Sequence, residues 1–251
     1  MLDFPKAYIQ KLETLMYPRW YTACFMQECR DSSVWGSYGV NHTAACLMFK
    51  VGDGTARPKL RVRLLSGWSS GGPVIDWVPH GFHEVLYENE HRPVDFFRSL
   101  GCQPVPVLSR VWYVSMDGRR SPCGDEMFKS EQAWRDRYWD IFYHGVTRKL
   151  KDWHYEKEHR LIIAPMMLNF STPETRVAHY DFNDLAGIIF GMKTPANARR
   201  QVCKIVEEKC RETKRTDFKF YEAYYSQATG SIERREMSFL KFNFPAENAL
   251  N

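Results

Sequence analysis

Twelve residues in the second half of the chain, Asp152-Trp153-His154-Tyr155-Glu156-Lys157-Glu158-His159-Arg160-Leu161-Ile162-Ile163, set two glutamates, two histidines and an arginine against an apolar run. No apolar repeat at helical spacing passes through them, and the spacing predicts a strand ending at Pro165. Alternation along such a strand puts His154, Glu156, Glu158 and Arg160 on one face, with the two carboxylates ~7 Å apart. One carboxylate so placed can stabilise an oxocarbenium-like sugar centre while its neighbour holds a hydroxyl or takes a proton. The plain alternative is a solvated strand face with charge pairing along it. A second group, Trp35, Tyr38 and His42, falls at intervals of three and four, which on a helix presents an indole, a phenol and an imidazole together. The trio can stack a heterocycle, or it can pack a short helix onto a sheet with His42 bonded to a backbone carbonyl.

Other chemistries fit less well. Cys24, Cys29, His42 and Cys46 are separated by four, twelve and three residues, a poor match to zinc spacing, and no metal is expected. Cys102 and Cys123 are loop thiols with no base at a diagnostic distance in sequence. In Glu156-Lys157 the lysine directly follows the acid, without the one-residue gap of a metal nuclease. Gly52-Asp53-Gly54 lacks the rest of a dinucleotide fingerprint, and no phosphate loop occurs.

These groups need elements to hold them. The patterning predicts a helix over 5–15, a buried strand over 19–27, a capped short helix after Asp31-Ser32-Ser33 and a strand over 44–51 closed by a turn at Gly52-Asp53-Gly54. Further strands are read at 60–65, 83–87, 106–115, 176–182, 186–191 and 218–226, with 66–73 as a loop. Short and long helices are read at 93–100 and 195–210. The strongest helix runs over 130–151, where Trp134, Tyr138, Ile141, Phe142, Val146 and Leu150 form a core stripe. The fold class is α+β, a mixed, largely antiparallel sheet with flanking helices, in a single globular domain over 1–251 with no linker or repeat.

Apolar content of 44% and 15% aromatics mark a folded chain rather than a disordered one. No apolar run is long enough for a membrane span, and the first residues carry no signal core, so a cytoplasmic protein with no membrane contact is expected. Seven cysteines without scaffold spacing suit a reducing compartment. The sequons Asn41-His42-Thr43 and Asn169-Phe170-Ser171 are then chance matches. The net charge of +5 permits nucleic acid as a partner, with Arg61, Arg63 and the basic helix ends as contacts, while basic residues at helix ends also complement the dipole.

Two passages resemble an uncharacterised bacterial and phage-associated domain family. They are Trp35-x-x-Tyr38-x-x-x-His42-x-x-x-Cys46-Leu47-x-Phe49 and Trp153-x-x-Glu156-x-Glu158-x-Arg160-Leu161; a third likeness is Leu185-Ala186-Gly187-Ile188-Ile189-Phe190-Gly191. The resemblance covers roughly residues 20 to 225 and implies that Trp35, Tyr38, His42, Glu156, Glu158 and Arg160 form one spatial group. The glutamate-x-glutamate pair opposite an aromatic helix is also similar to ADP-ribosyltransferase toxins. That likeness implies a bacterial defence or toxin-type enzyme with NAD as substrate. In it Glu158 stabilises the ribosyl cation, Glu156 orients the acceptor or water, Trp35 and Tyr38 hold the nicotinamide, and Arg160 or His42 meets phosphate or ribose. The alternative is a noncatalytic subunit of a defence system that binds a protein partner or senses a nucleotide.

Overall fold

A computed structural model describes residues 3–51, 58–90, 93–163, 170, 172–238, 240 and 242, with side chains from residue 10 onward. The expected turn at Gly52-Asp53-Gly54, Pro165, and Asn169 and Ser171 of the second sequon lie outside the described residues. The elements in chain order are α1 (Asp3–Met16), β1 (Tyr21–Met26), α2 (Ser32–Ser37), β2 (Ala45–Phe49), β3 (Lys59–Ser69), β4 (Gly72–Glu84) and β5 (Leu86–Tyr87). There follow α3 (Val105–Val107), α4 (Asp125–Lys129), α5 (Glu131–Val146), β6 (Arg148–Lys149), β7 (Glu158–Ile163) and β8 (His179–Tyr180). The chain closes with β9 (Leu185–Phe190), α6 (Ala196–Thr213), β10 (Lys219–Ser226) and β11 (Ser231–Glu236). The class is α+β, with mixed and largely antiparallel sheet. Among the described residues no helix is long and apolar enough to cross a membrane.

The chain gathers into two compact units, neither continuous in sequence. The first takes residues 1–24, 83–154 and 159–176, the second 25–82, 155–158 and 177–251.

In the first unit, four of the six residues of the predicted stripe are core: Trp134, Tyr138, Phe142 and Val146 are buried, Ile141 is half-buried, and Leu150, past the end of α5, is 48% exposed. The helix starts at Ser130, whose hydroxyl accepts from the Ala133 N–H. It stops five residues short of the expected end. Thr147 directs both its N–H and its hydroxyl to the Tyr143 carbonyl, and Arg148 then pairs with Leu86 as strand. The strand expected over 106–115 is helical instead: α3 runs into a π-helical turn at Leu108–Trp112. Prolines 104 and 106 preset helical φ at its start, and Leu108 and Tyr113 gain more from burial beside Trp134 than a β-prone sequence gains from extension.

In the second unit, four strands run in the order β11-β10-β9-β2, antiparallel except for the β9/β10 pair. One face packs Leu185, Ile188, Phe190, Phe218 and Phe220 against Val206 and Cys210 of α6. The other packs Ile189, Ala223 and Ile232 against Trp35 of α2. Each such side chain contributes ~1.5–3 kcal/mol by leaving water, so this two-sided sheet is the rigid support for α2. The same unit holds the β3/β4 hairpin, with β8 on the free side of β3. Leu60, Val62 and Leu64 are buried while Lys59, Arg61 and Arg63 are exposed, the period of two that the sequence displays. The loop predicted at 66–73 is mostly strand: Gly67, Trp68 and Ser69 pair with Val74, Pro73 and Gly72, and only Ser70 and Gly71 turn. Gly72 supplies the positive φ, 117°, that this tight reversal needs. Two other expectations shift. No residue of β1 is buried, and of the strand expected over 176–182 only His179 and Tyr180 pair.

Candidate functional site

The site grows from the start of α2. The Asp31 carboxylate accepts from the Ser33 and Val34 N–H groups at 2.7 and 3.1 Å, satisfying two of the helix's orphan donors. This fixes the first turn so that Trp35, 4% exposed, drops into the sheet core, its indole N–H donating to the Cys29 carbonyl at 2.8 Å. Trp35 is therefore part of the support, and its ring is covered. Gly39 lies so close beneath it that a Cβ there would stand 2.6 Å from the Trp35 carbonyl oxygen.

After α2 the backbone enters the left-handed region for three successive residues: Val40, Asn41 and His42 have φ of 50°, 52° and 68°. L-residues pay ~1–2 kcal/mol each for this conformation, least for asparagine. Hydrogen bonds hold the turn: Asn41 N–H to the Gly36 carbonyl, His42 N–H to Trp35, Ala44 N–H to Gly39. The Lys193 and Gly191 N–H groups donate to the His42 and Ala44 carbonyls at 2.9 and 3.0 Å, and Thr194 Oγ1 adds a bond to Ala44. The outcome is a buried His42 ring lying parallel to the Trp35 indole, centroids 6.2 Å apart, with Nε2 at 3.5 Å from Ser32 Oγ. Its Nδ1 is buried and has no hydrogen-bond partner among the described residues.

The second motif departs from the predicted strand. Lys151–Glu156 forms 3-10 turns, and β7 begins only at Glu158. The break is at Lys157, whose φ of 45° ends the helical turn and whose carbonyl accepts from Gln27. Its ammonium pairs with Glu28 at 2.9 Å and holds that carboxyl below its ordinary range. Glu156 and Glu158 therefore flank a left-handed residue and are not successive residues of one strand face. Both are buried, at 1% and 2% exposure. The Tyr38 hydroxyl donates to Glu156 Oε1 at 3.0 Å, and Tyr38 as a whole is 54% exposed.

The second unit thus brings together Trp35, His42, Tyr38 and Glu156, and holds Glu158 two residues on. Arg160 belongs to the first unit, where its guanidinium donates to the Val146 carbonyl at the end of α5. Ser32, Lys157 and Gly191 support the site, although the sequence names them only in other roles: a helix cap, a nuclease spacing and the late strand. Only Gly191, a glycine directly after a β-rich run, carries a local signal of its supporting role. Cys29 and Cys46 pack on the Trp35 side of the sheet, and burial raises both thiols, Cys46 to about 11, so they stay protonated near neutrality. Among the described residues no group of three histidine, cysteine or acidic side chains is placed to hold a metal ion.

No family model, curated protein or solved structure matches this chain.

Proposed function

We propose that this protein is a cytoplasmic enzyme of the bacterial defence or toxin type that acts on NAD, by ADP-ribosyl transfer or by cleavage of the nicotinamide glycosidic bond. The observation that supports the reading is the 3.0 Å bond from Tyr38 to Glu156, which ties an aromatic helix to the glutamate pair 118 residues later. Seven free cysteines agree with a reducing compartment.

In this reading the bond between nicotinamide nitrogen and ribose C1′ breaks with its electron pair leaving on nicotinamide. The Glu158 carboxylate stabilises the cation left on the ribose, a task favoured by its buried, low-dielectric setting. Water or an acceptor adds to C1′, directed by Glu156, which takes its proton. Tyr38 exchanges its bond to Glu156 for one to the substrate, and its exposed ring stacks on nicotinamide; Trp35 acts through His42, which it stacks against. His42 meets phosphate or ribose.

Incubating the purified chain with NAD labelled in the nicotinamide ring tests this. Release of nicotinamide is expected, falling about 100-fold or more in Glu158→Gln. No release from folded protein, or release unaffected by that change, refutes the enzymatic reading. A specific observation favours a second reading: both carboxylates are almost wholly covered. A noncatalytic, nucleotide-sensing or partner-binding subunit would bind NAD in calorimetry without turnover, or would capture a protein partner.

A further inference from the structure

The outer face of the β3/β4 hairpin carries chemistry that the Tyr38–Glu156 site does not use. Lys59, Arg61 and Arg63 are exposed at alternate positions of β3, spaced ~7 Å apart along the strand. Residues directly opposite each other in an antiparallel pair share a face. Arg63 lies opposite Trp77 of β4 on one side and opposite His179 of β8 on the other. The Arg61 guanidinium stands over the Trp77 ring, 5.9 Å from its centroid. Past Leu65, which is buried at the bulge, the same face continues with Ile75 and Trp68, 54% and 65% exposed and opposite Leu65 and Pro73.

Among the described residues none of Lys59, Arg61 and Arg63 forms an ion pair with a carboxylate. The Asp184 carboxyl, which burial holds above its ordinary range, is near enough for Arg61 to act on it. Asp76 projects to the opposite face and accepts the N–H of Trp77. Three exposed cations that form no ion pair among the described residues, interleaved with the half-buried Trp77, are unlike the ion-paired surface of β10 and β11, where Glu222 is shared by Arg199 and Arg235.

We infer that this face binds single-stranded nucleic acid, with successive phosphates on Lys59, Arg61 and Arg63 and a base stacked on Trp77. An extended polynucleotide needs a flat aromatic surface and cations repeating along one line, and both are present in one register. An acidic peptide has no use for the indole. A lipid surface would engage the exposed Ile75 and Trp68 past the cations and leave Trp77, which stands among them, without a role. The inference is independent of the NAD reading and uses none of its residues.

The test is fluorescence anisotropy of a labelled mixed-sequence 12-nucleotide single strand titrated with the full chain at several salt concentrations. Neutralising three phosphates predicts a slope of log affinity against log salt of about −2, falling to about −0.7 in Arg61→Ala/Arg63→Ala. Trp77→Ala weakens binding about tenfold and Trp77→Phe restores most of it. The charge-matched Arg200→Ala/Lys204→Ala pair on exposed α6 positions leaves affinity and slope unchanged. Absence of binding at low salt, a slope indifferent to Arg61 and Arg63, or equal loss from the α6 pair overturns the assignment. So does binding to anionic phosphatidylserine vesicles in preference to the oligonucleotide.

Discussion

Replacing Val40 by glycine should stabilise the protein. Val40 has φ of 50° and is 64% exposed, so the side chain contributes little burial while its branched Cβ opposes the left-handed backbone. Relief of that opposition is worth ~1–2 kcal/mol. Glycine gives back ~0.4–1 kcal/mol through the greater freedom of the unfolded chain. The net gain is about 0.5–1 kcal/mol, which for a chain of this size raises Tm by roughly 1–4 °C. Asn41→Gly is the internal reference: asparagine already tolerates its φ of 52°, so the same change there should leave Tm level or slightly lower. Both variants are measured by thermal denaturation followed by circular dichroism. A fall in Tm for Val40→Gly, or an equal response of the two positions, would refute the argument that the turn is held against the preference of its residues. Its holding force is visible: the six hydrogen bonds that close the turn and dock it on the Gly191–Thr194 segment are worth ~0.5–1.5 kcal/mol each.

The converse change is Gly191→Ala. A Cβ at 191 would fall onto the His42 carbonyl, a backbone atom that cannot rotate away, so a loss of ~1–3 kcal/mol and a Tm lower by several degrees are expected in the same melts. Asp217 accepts from Arg215 and Lys50, which together hold its carboxyl down at about 2. Its folded value lies below the unfolded ~3.9, so its contribution is complete above pH ~4 and is lost as pH falls toward 2. Its side chain is 60% exposed, and Asp217→Asn should therefore cost at most about 1 kcal/mol at pH 6 and only a small fraction of that at pH 2 in urea denaturation.

Features written in local chemistry were legible in the sequence. Asp31 capping α2, Pro195 before α6, the stripe on α5 and the apolar run of β9 all depend on near neighbours. What escaped depends on partners distant in sequence. Extension through 152–157 fails because Lys157 turns left-handed where Gln27 and Glu28 hold it, and neither is near it in sequence. β11 shows one buried side chain, Ile232, among charges and polar residues, too thin a signal to read as strand until Tyr221–Ser226 pairs with it. Tyr38 and Glu156 stand out in the sequence by type and spacing, and they do meet. Trp35 stands out with them, yet its size and shape suit the sheet surface, and burial claims it for the core.

The order of strands in the second unit bears on how the chain is made. β2 is synthesised early, but its hydrogen-bonding partner β9 emerges about 140 residues later. At ribosomal rates of ~5–20 residues per second, Cys46-Leu47-Met48-Phe49 waits roughly 7–28 s for its neighbour. During that interval a short apolar, uncharged segment stands available to other nascent chains, so the yield of folded protein should fall as the concentration of unfinished chains rises.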